Sequence, residues 1–294
     1  MREVTSCPVC KSTKFKTLFR CEDHTVSHET FQLIKCQNCS LVITHPQPND
    51  HLLASYYLSD DYISHANRAK SIFDKLYLFV RKFTLSQKLK LILQYNSKSS
   101  LLDYGCGTGE FLNICKSNGW SVTGVEPSIN AREKAMLRTN ENIYESLETI
   151  ANKKIDVITL WHVLEHVPDI NGLLQQLGKL LTENGTIFIA VPNYESYDAE
   201  VYKEFWAAYD VPRHLWHFSK SSLEKLLNNN SLRVTSIVPM KLDSFYVSLL
   251  SEKYKHGNVH SPQGILNAIS RGIVSNLKAK KTNNYSSLIY VVQK

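Results

Sequence analysis

What the chain is short of narrows its identity first. No run of apolar residues approaches the ~18 that a membrane-spanning helix needs. The opening Met1-Arg2-Glu3-Val4-Thr5-Ser6 carries no apolar stretch of the secretory type, so a cytoplasmic protein is expected. Glycine and proline are scarce, at 11 and 9 of 294 residues, which excludes collagenous and low-complexity chains. No internal repeat is visible, which excludes solenoids and propellers. Neither sign of charge dominates: 34 Lys and Arg against 27 Asp and Glu leave a net +7, too small to imply nucleic-acid binding by itself.

What is present is an ordinary globular composition, 43% apolar and 21% charged, enough for one large domain or two smaller ones. The charge is unevenly spread. Arg68, Lys70, Lys75, Arg81, Lys82, Lys88, Lys90 and Lys98 face a single acid, Asp74, across that segment. Such an excess suits an anionic partner, either a phosphate-bearing acceptor or an anionic membrane surface, or it is a solvated helix face. Ile72, Leu76, Phe79, Val80 and Phe83 recur mostly at spacings of three and four in the same segment, which predicts helix.

Four of the seven cysteines form two pairs, Cys7-Pro-Val-Cys10 and Cys36-Gln-Asn-Cys39. A two-residue spacer lets two thiolates from one tight turn reach the same ion, and two such knuckles complete a tetrahedral structural zinc site with no open position. A redox pair is the alternative. Cys21 and His24 lie between the pairs and can replace one ligand, whereas Cys106 and Cys115 are read as small buried residues.

The module of residues 1–45 ends at His45-Pro-Gln-Pro48, a proline-punctuated linker. Residues 46–97 then read as a helical segment on the substrate side. Within it Tyr56, Tyr57 and Tyr62 can form a lid or close a seam between domains. From residue 98 to 294 short apolar runs alternate with amphipathic stretches, the sign of a doubly wound α/β domain. Strands are predicted at Ser100–Tyr104, Ser121–Glu126, Asn142–Tyr144, Asp156–Trp161, Thr186–Val191, Arg233–Met240 and Ser286–Gln293, with an aromatic-rich insertion at 192–219.

Leu101-Leu-Asp-Tyr-Gly105-Cys-Gly107-Thr-Gly109 is a strand running into a glycine turn, where the backbone can approach a ligand closely. Glu126 follows Gly105 by 21 residues at the tip of the next strand, the place of a carboxylate that hydrogen-bonds a ribose diol. The spacing G-x-G-x-G departs from that of dinucleotide binders. Together with Gly124-Val-Glu126-Pro-Ser and Asp156-Val-Ile-Thr-Leu-Trp-His-Val-Leu-Glu-His-Val-Pro-Asp169, this loop resembles the successive motifs of class I S-adenosylmethionine-dependent methyltransferases over about residues 98 to 195. With the knuckles and Asp210-Val-Pro-Arg-His-Leu-Trp-His-Phe-Ser219, nearly the whole chain is similar to the zinc-module methyltransferases of bacterial sugar and surface-polysaccharide pathways.

The resemblance implies a Rossmann-like, seven-stranded, mostly parallel sheet carrying a small zinc-ribbon-like module. It implies that Asp103, Gly105, Cys106 and Gly107 surround the methionine part of S-adenosylmethionine, that Glu126 binds the ribose, and that Pro127 packs near the adenine. Ser146 and Leu147 stand where the adenine-binding pair is usually an Asp and an apolar residue. Trp161 and His162 close the cofactor side after the fourth strand.

Methyl transfer to a hydroxyl or carbon acid also needs a base, and a histidine with a near-neutral pKa suits that task. Two clusters compete: His162-Val-Leu-Glu165-His166 at the carboxyl edge of the sheet, and Arg213-His214-Leu-Trp-His217 in the insertion. His214 is preferred as base, with His217 orienting it, Glu165 and His166 as the other candidates, and Arg213 holding a phosphate or carboxylate of the acceptor. His162-x-x-Glu165-His166 also matches an inverted zinc-protease pattern, rejected because its setting after a Rossmann-type strand is wrong for it. Some quinone O-methyltransferases bind a divalent ion through a similar Glu-His pair, but Trp161 stands at their first acidic ligand, so that ion is not expected.

The expected acceptor is a small anionic molecule such as a nucleotide-linked or lipid-linked sugar. An RNA methyltransferase with a zinc module is the runner-up, disfavoured because no Asn-Pro-Pro-Tyr type of motif follows the fourth strand. A non-catalytic zinc-ribbon binding protein on the same fold is the third possibility.

Overall fold

The computed structural model describes residues 1–57, 72–151, 153–257 and 262–294; at positions 50, 72–82 and 262 the backbone is described and the side chains are not. Strands β1 (Phe15–Glu22), β2 (Thr30–Cys36) and β3 (Val42–His45) form an antiparallel meander. Helix α1 (Asp50–Leu53) and a 3₁₀ turn at Ala54–Tyr57 follow, and α2 (Ile72–Tyr95) is the helix expected from the apolar spacing. Tyr62, Arg68 and Lys70 lie outside the described residues, as do the side chains of Ile72, Lys75, Leu76, Phe79, Val80, Arg81 and Lys82.

The second sheet contains β4 (Ser100–Tyr104), β5 (Ser121–Val125), β6 (Ile143–Tyr144), β7 (Ile155–Trp161), β8 (Leu181–Pro192), β10 (Arg233–Pro239) and β11 (Ser287–Gln293). Its spatial order is β10-β11-β8-β7-β4-β5-β6, seven strands of which only β11 runs against its neighbours. The central strands are legible because they are buried on both faces, as in Leu101 and Leu102 or Ile187 to Val191, so they read as near-continuous apolar runs, whereas the edge strand β10 has no buried residue. Helices α3 (Glu110–Ser117), α4 (Ile129–Thr139), α5 (Ile170–Leu180), α6 (Tyr197–Tyr202), α7 (Lys220–Asn229), α8 (Asp243–His256) and α9 (Pro262–Thr282) complete the chain. In α5 the buried set Ile170, Leu173, Leu174, Leu177 and Leu180 follows helical periodicity, and the Asp169 carboxylate caps its start by accepting from the Gly172 N–H.

The chain winds outward from β4 through β5 and β6, then returns to β7 and β8 on the other side. The order therefore reverses between β4 and β7, the switch point where open α/β sheets bind ligands outside the strands' carboxyl ends.

The aromatic insertion contributes β9 (Trp216–His217), which pairs with β3 and becomes the fourth strand of the N-terminal sheet. Residues 1–45 are thus sealed onto the larger domain. One apolar cluster runs without interruption from Cys7, Val9, Ile34 and Ile43 to Leu160, Ile189 and Phe218. The Asn171 and Asn229 amides donate to the carbonyls of Pro8 and Val9, fastening the first knuckle to α5 and α7.

Candidate active site

The glycine loop takes the left-handed backbone that its sequence demands, with φ of 73° at Gly105, 54° at Gly107 and 75° at Gly109. A Cβ on Gly105 would come within 2.6 Å of Val163, whereas one on Gly107 would meet nothing within 4 Å. Gly105 is therefore the contact between the loop and the end of β7, and Gly107 faces open space. Glu126 is half-buried at the tip of β5, its carboxylate accepting the Gly107 N–H at 2.8 Å and the Ser128 N–H at 2.9 Å. Arg132 donates to the carbonyls of Glu126 and Pro127 and so fixes the start of α4. Leu147 is buried in a 3₁₀ turn, and the Ser146 hydroxyl beside it donates to Glu148.

Asp103 is buried, and its carboxylate accepts the Thr159 hydroxyl at 2.6 Å, tying β4 to β7. Burial pushes its pKa up to about 7, against the Thr159 hydrogen bond and the nearby positive charge of Lys88. Lys88, on α2, lies 4.4 Å from the Trp161 ring centre, and Phe111 meets the same ring edge-on. Cys106 and Cys115 are small buried residues, with burial raising both thiols.

Immediately after β7 the chain turns through His162, a non-glycine residue at φ 58°. Left-handed backbone costs such a residue roughly 1–2 kcal/mol. Two carboxylates hold the ring there: Glu165 Oε1 at 3.5 Å from Nδ1 and Asp243 Oδ2 at 3.2 Å from Nε2. Burial disfavours the charged ring, yet these two carboxylates outweigh it and bring the His162 pKa up to about 9.

Glu165 is completely buried, and neither carboxylate oxygen has a hydrogen-bond partner among the described residues. Burial acts to raise its pKa, but His162, His214 and His166 around it prevail and hold it below the usual value. His166 stacks edge-on against His214 with ring centres 4.5 Å apart. Its Nδ1 lies 3.1 Å from the Arg213 carbonyl and 2.9 Å from the Tyr57 hydroxyl, and a carbonyl can only accept, so Nδ1 carries the proton and Nε2 the lone pair. Burial and the neighbouring His214 lower the His166 pKa to about 4. The Nδ1 of His214 likewise donates to the Ala208 carbonyl, again leaving Nε2 as the lone pair. Glu165, His166 and His214 each bring one ligand-type atom within 4.8 Å of the others, compact enough to share a proton or a cation.

The two histidines of the insertion part company. His217 sits on β9, where the Thr44 hydroxyl spends its one proton on the His214 carbonyl and accepts from His217 Nε2 at 3.0 Å. Burial and His214 together depress the His217 pKa strongly. Arg213, expected to grip an anionic acceptor, is itself 2% exposed and fully engaged. Its guanidinium donates to Asp210, to Asp23 of the N-terminal module and to the Tyr56 carbonyl. The expectation is corrected because two carboxylates, the buried Asp23 and the half-buried Asp210, already claim that fork. Tyr56 is buried with its hydroxyl on Glu29, so of the two described lid candidates it is Tyr57 that reaches the histidine cluster.

Cys7 Sγ lies 3.5 Å from Cys39 Sγ, Cys10 Sγ lies 3.4 Å from Cys36 Sγ, and all four sulfurs fall within 4.8 Å of one another. The knuckles share one turn: the N–H of Lys11 donates to the Cys7 carbonyl and that of Ser40 to the Cys36 carbonyl, at φ 60° and 64°. Cys21 is buried in a different apolar cluster, with Phe31 and Tyr56, and does not join them.

The sequence marks Lys88 only as part of a basic segment and Tyr57 only as a lid candidate, and Asp243 not at all, yet all three are neighbours of the site. Each is brought in by a separate helix or turn, and no spacing links them to the motifs they touch.

A ligand-accessible glycine loop beside a ribose-type carboxylate, with a titratable cluster across the switch point, defines a Rossmann-like group-transfer enzyme. A family model described as "Methyltransferase domain" matches residues 77–237, and the chain belongs to that family of S-adenosylmethionine-dependent methyltransferases. The ubiquinone biosynthesis O-methyltransferase of Pelagibacter ubique (strain HTCC1062) is 30% identical over 172 residues, 54% of this chain and 69% of that protein. The protein of the same name from Nitrosomonas europaea is 31% identical over 106 residues, 33% of this chain and 45% of that protein. The chain thus spans about half the length of the first relatives it matches. In fold it is similar to a mycolic acid cyclopropane synthase solved with SAH and CTAB, with TM-score 0.55, 14% identity, and 84% of this chain and 99% of that one covered. It is also similar to the magnesium protoporphyrin IX methyltransferase of Synechocystis PCC 6803, with TM-score 0.54, 13% identity, and 83% and 100% covered.

Proposed function

We propose that this protein methylates a hydroxyl of a small anionic acceptor, with the buried Glu165 and the histidines around it handling the proton. The observation that carries this reading is a buried carboxylate, ion-paired with His162 and enclosed also by His166 and His214, on the turn whose Val163 packs against Gly105 of the glycine loop. Asp103, Gly105, Cys106 and Gly107 would hold the amino-acid part of S-adenosylmethionine, Glu126 the ribose, and Pro127, Ser146 and Leu147 the adenine, with Trp161 and His162 beside them. The open space over Gly107 and the adjoining Glu126 carboxylate fit that ligand. When bound it supplies an electrophilic methyl group on a sulfonium.

The protein must then align the acceptor, keep water out and take up the acceptor's proton. His214 Nε2 is the base in this account, because its Nδ1 is tied to a backbone carbonyl and the ring is therefore aimed. Glu165 favours the cation formed on His214, His166 can relay the proton, and His217 orients the pair from β9. The excess of basic residues between Arg68 and Lys98 favours a phosphate-bearing acceptor, a nucleotide- or lipid-linked sugar, while the O-methyltransferase relatives favour a phenolic hydroxyl. The four cysteines would hold one structural zinc: thiolates at about 2.3 Å from the ion stand about 3.8 Å apart, close to the spacings found.

The test is turnover of methyl-labelled S-adenosylmethionine on nucleoside-diphosphate sugars, undecaprenyl-linked sugars and dihydroxybenzoates, with NMR locating the label. Label on oxygen, and His214→Ala lowering kcat by about 10²- to 10⁴-fold with cofactor affinity kept, is the expected result. Label on carbon or nitrogen, or a His214→Ala variant with wild-type kcat, would overturn it.

A further inference from the structure

Helix α9 is built inside out. The face packed on α8 and α6 carries small residues, Gly264, Ala268, Gly272, Ser275 and Ala279, all buried. The fit is close: a Cβ on Gly272 would lie 2.6 Å from the Phe245 ring of α8, and Ser275 donates to the buried Asp198 of α6. The large aliphatic side chains point the other way. Leu266, Ile269, Ile273 and Leu277 are 61%, 45%, 46% and 54% exposed. At 100° per residue these four fall in one narrow stripe, about 16 Å long at 1.5 Å per residue. A helix that only covered the domain would present the opposite pattern.

The charged residues of the helix are of one sign. The helix contains Arg271, Lys278, Lys280 and Lys281 and no acid. Arg271 and Lys278 both engage Tyr197 of α6, toward the packed face, whereas Lys280 and Lys281 lie on either side of the stripe at its end, exposed. An aliphatic stripe on a helix whose charged residues are all cations matches the boundary of a bilayer rich in anionic lipid, where the stripe enters the acyl region and the cations meet headgroups. A second copy of this face would set the same cations against each other. No helix among the described residues is long and apolar enough to cross a membrane, so contact would be peripheral.

The position of the helix gives the contact a purpose. The α8–α9 hairpin joins the end of β10 to the start of β11, which runs in reverse, so it stands at the carboxyl edge of the sheet where the glycine loop and histidine cluster lie. Asp243, the first residue of α8, holds His162. We infer that the exposed face of α9 docks the enzyme on an anionic lipid surface, with its site edge near the bilayer. The docking surface stands independently of which acceptor is methylated.

The test is co-sedimentation of the full chain with vesicles of phosphatidylcholine alone and of phosphatidylcholine with phosphatidylglycerol in equal parts. The wild type is expected to bind the mixed vesicles and release in high salt. Ile269→Glu/Ile273→Glu should abolish binding, and Lys280→Gln/Lys281→Gln should weaken it roughly tenfold. Both pairs are exposed; if the first fails to fold, judged by circular dichroism, the second still decides. Equal binding to both vesicle types, or full binding by the lysine double variant, would overturn the inference. So would light scattering that shows a wild-type dimer lost in the isoleucine variant without any vesicle binding, which would make the occupant a second copy.

Discussion

Replacing Arg213 by Met removes a guanidinium that holds the chain together at three separate points. It donates at 2.7–3.1 Å to Asp210 in its own loop, at 2.9 Å to Asp23 between β1 and β2, and at 3.0 Å to the Tyr56 carbonyl. Asp23 is wholly buried, and although the serine and threonine hydroxyls of its own turn still reach it, its countercharge would be gone. Breaking a buried pair from one side costs about 3–5 kcal/mol, since the remaining charge is stranded, and in a domain of this size that lowers Tm by roughly 6–15 °C. Burial alone would raise the carboxyls of Asp23 and Asp210, and Arg213 reverses this, holding both below their usual values. A depressed carboxyl stabilises above its unfolded pKa, near 3.9, and that contribution fades as pH falls through the folded pKa. The Arg213→Met deficit should therefore be large at pH 7 and shrink in acid, as measured by thermal unfolding across pH. Arg213→Lys should recover little, because an ammonium cannot reproduce the fork. A variant as stable as wild type whose only defect is a raised acceptor KM would refute the reasoning and return Arg213 to the acceptor.

Cys36→Ser should release one zinc per chain and loosen the N-terminal sheet while S-adenosylmethionine still binds, checked by elemental analysis and calorimetry; metal-free wild-type protein purified without chelator would contradict the site. Asp243→Asn should drop the His162 pKa from about 9, read by NMR titration of the ring. With a raised folded pKa, His162 stabilises fully below the unfolded value near 6.5 and loses that contribution as pH rises through about 9, so the variant's deficit should vanish in alkali.

The parallel strands and the glycine loop could be read from sequence because they answer to local rules: two-sided burial gives unbroken apolar runs, and positive φ calls for glycine. The small sheet was not read. Strand β1 is mostly exposed and mixes Lys16, Thr17 and Arg20 with apolar residues, so it has neither alternation nor a run. Strand β9 is two residues long and exists only because β3, far away in sequence, pairs with it. Arg213 reads as an acceptor contact for the same reason: its partner Asp23 carries no mark in the sequence. Asp243 and Lys88 enter the site from helices whose patterns report packing, and only the fold reveals their contacts with His162 and Trp161.

The central claim is that the loop after β4 and the carboxylate after β5 form the S-adenosylmethionine site, and calorimetric titration of wild type and Glu126→Ala with that cofactor tests it most directly. Glu126 accepts two backbone N–H groups at the mouth of the loop, and a ribose diol would be held by the same charged acceptor. The wild type should bind one equivalent, and the variant should bind about 1.5–3 kcal/mol more weakly, the usual scale for hydrogen bonds to a charged group. No heat of binding in the wild type, or equal affinity in the two proteins, would contradict the account.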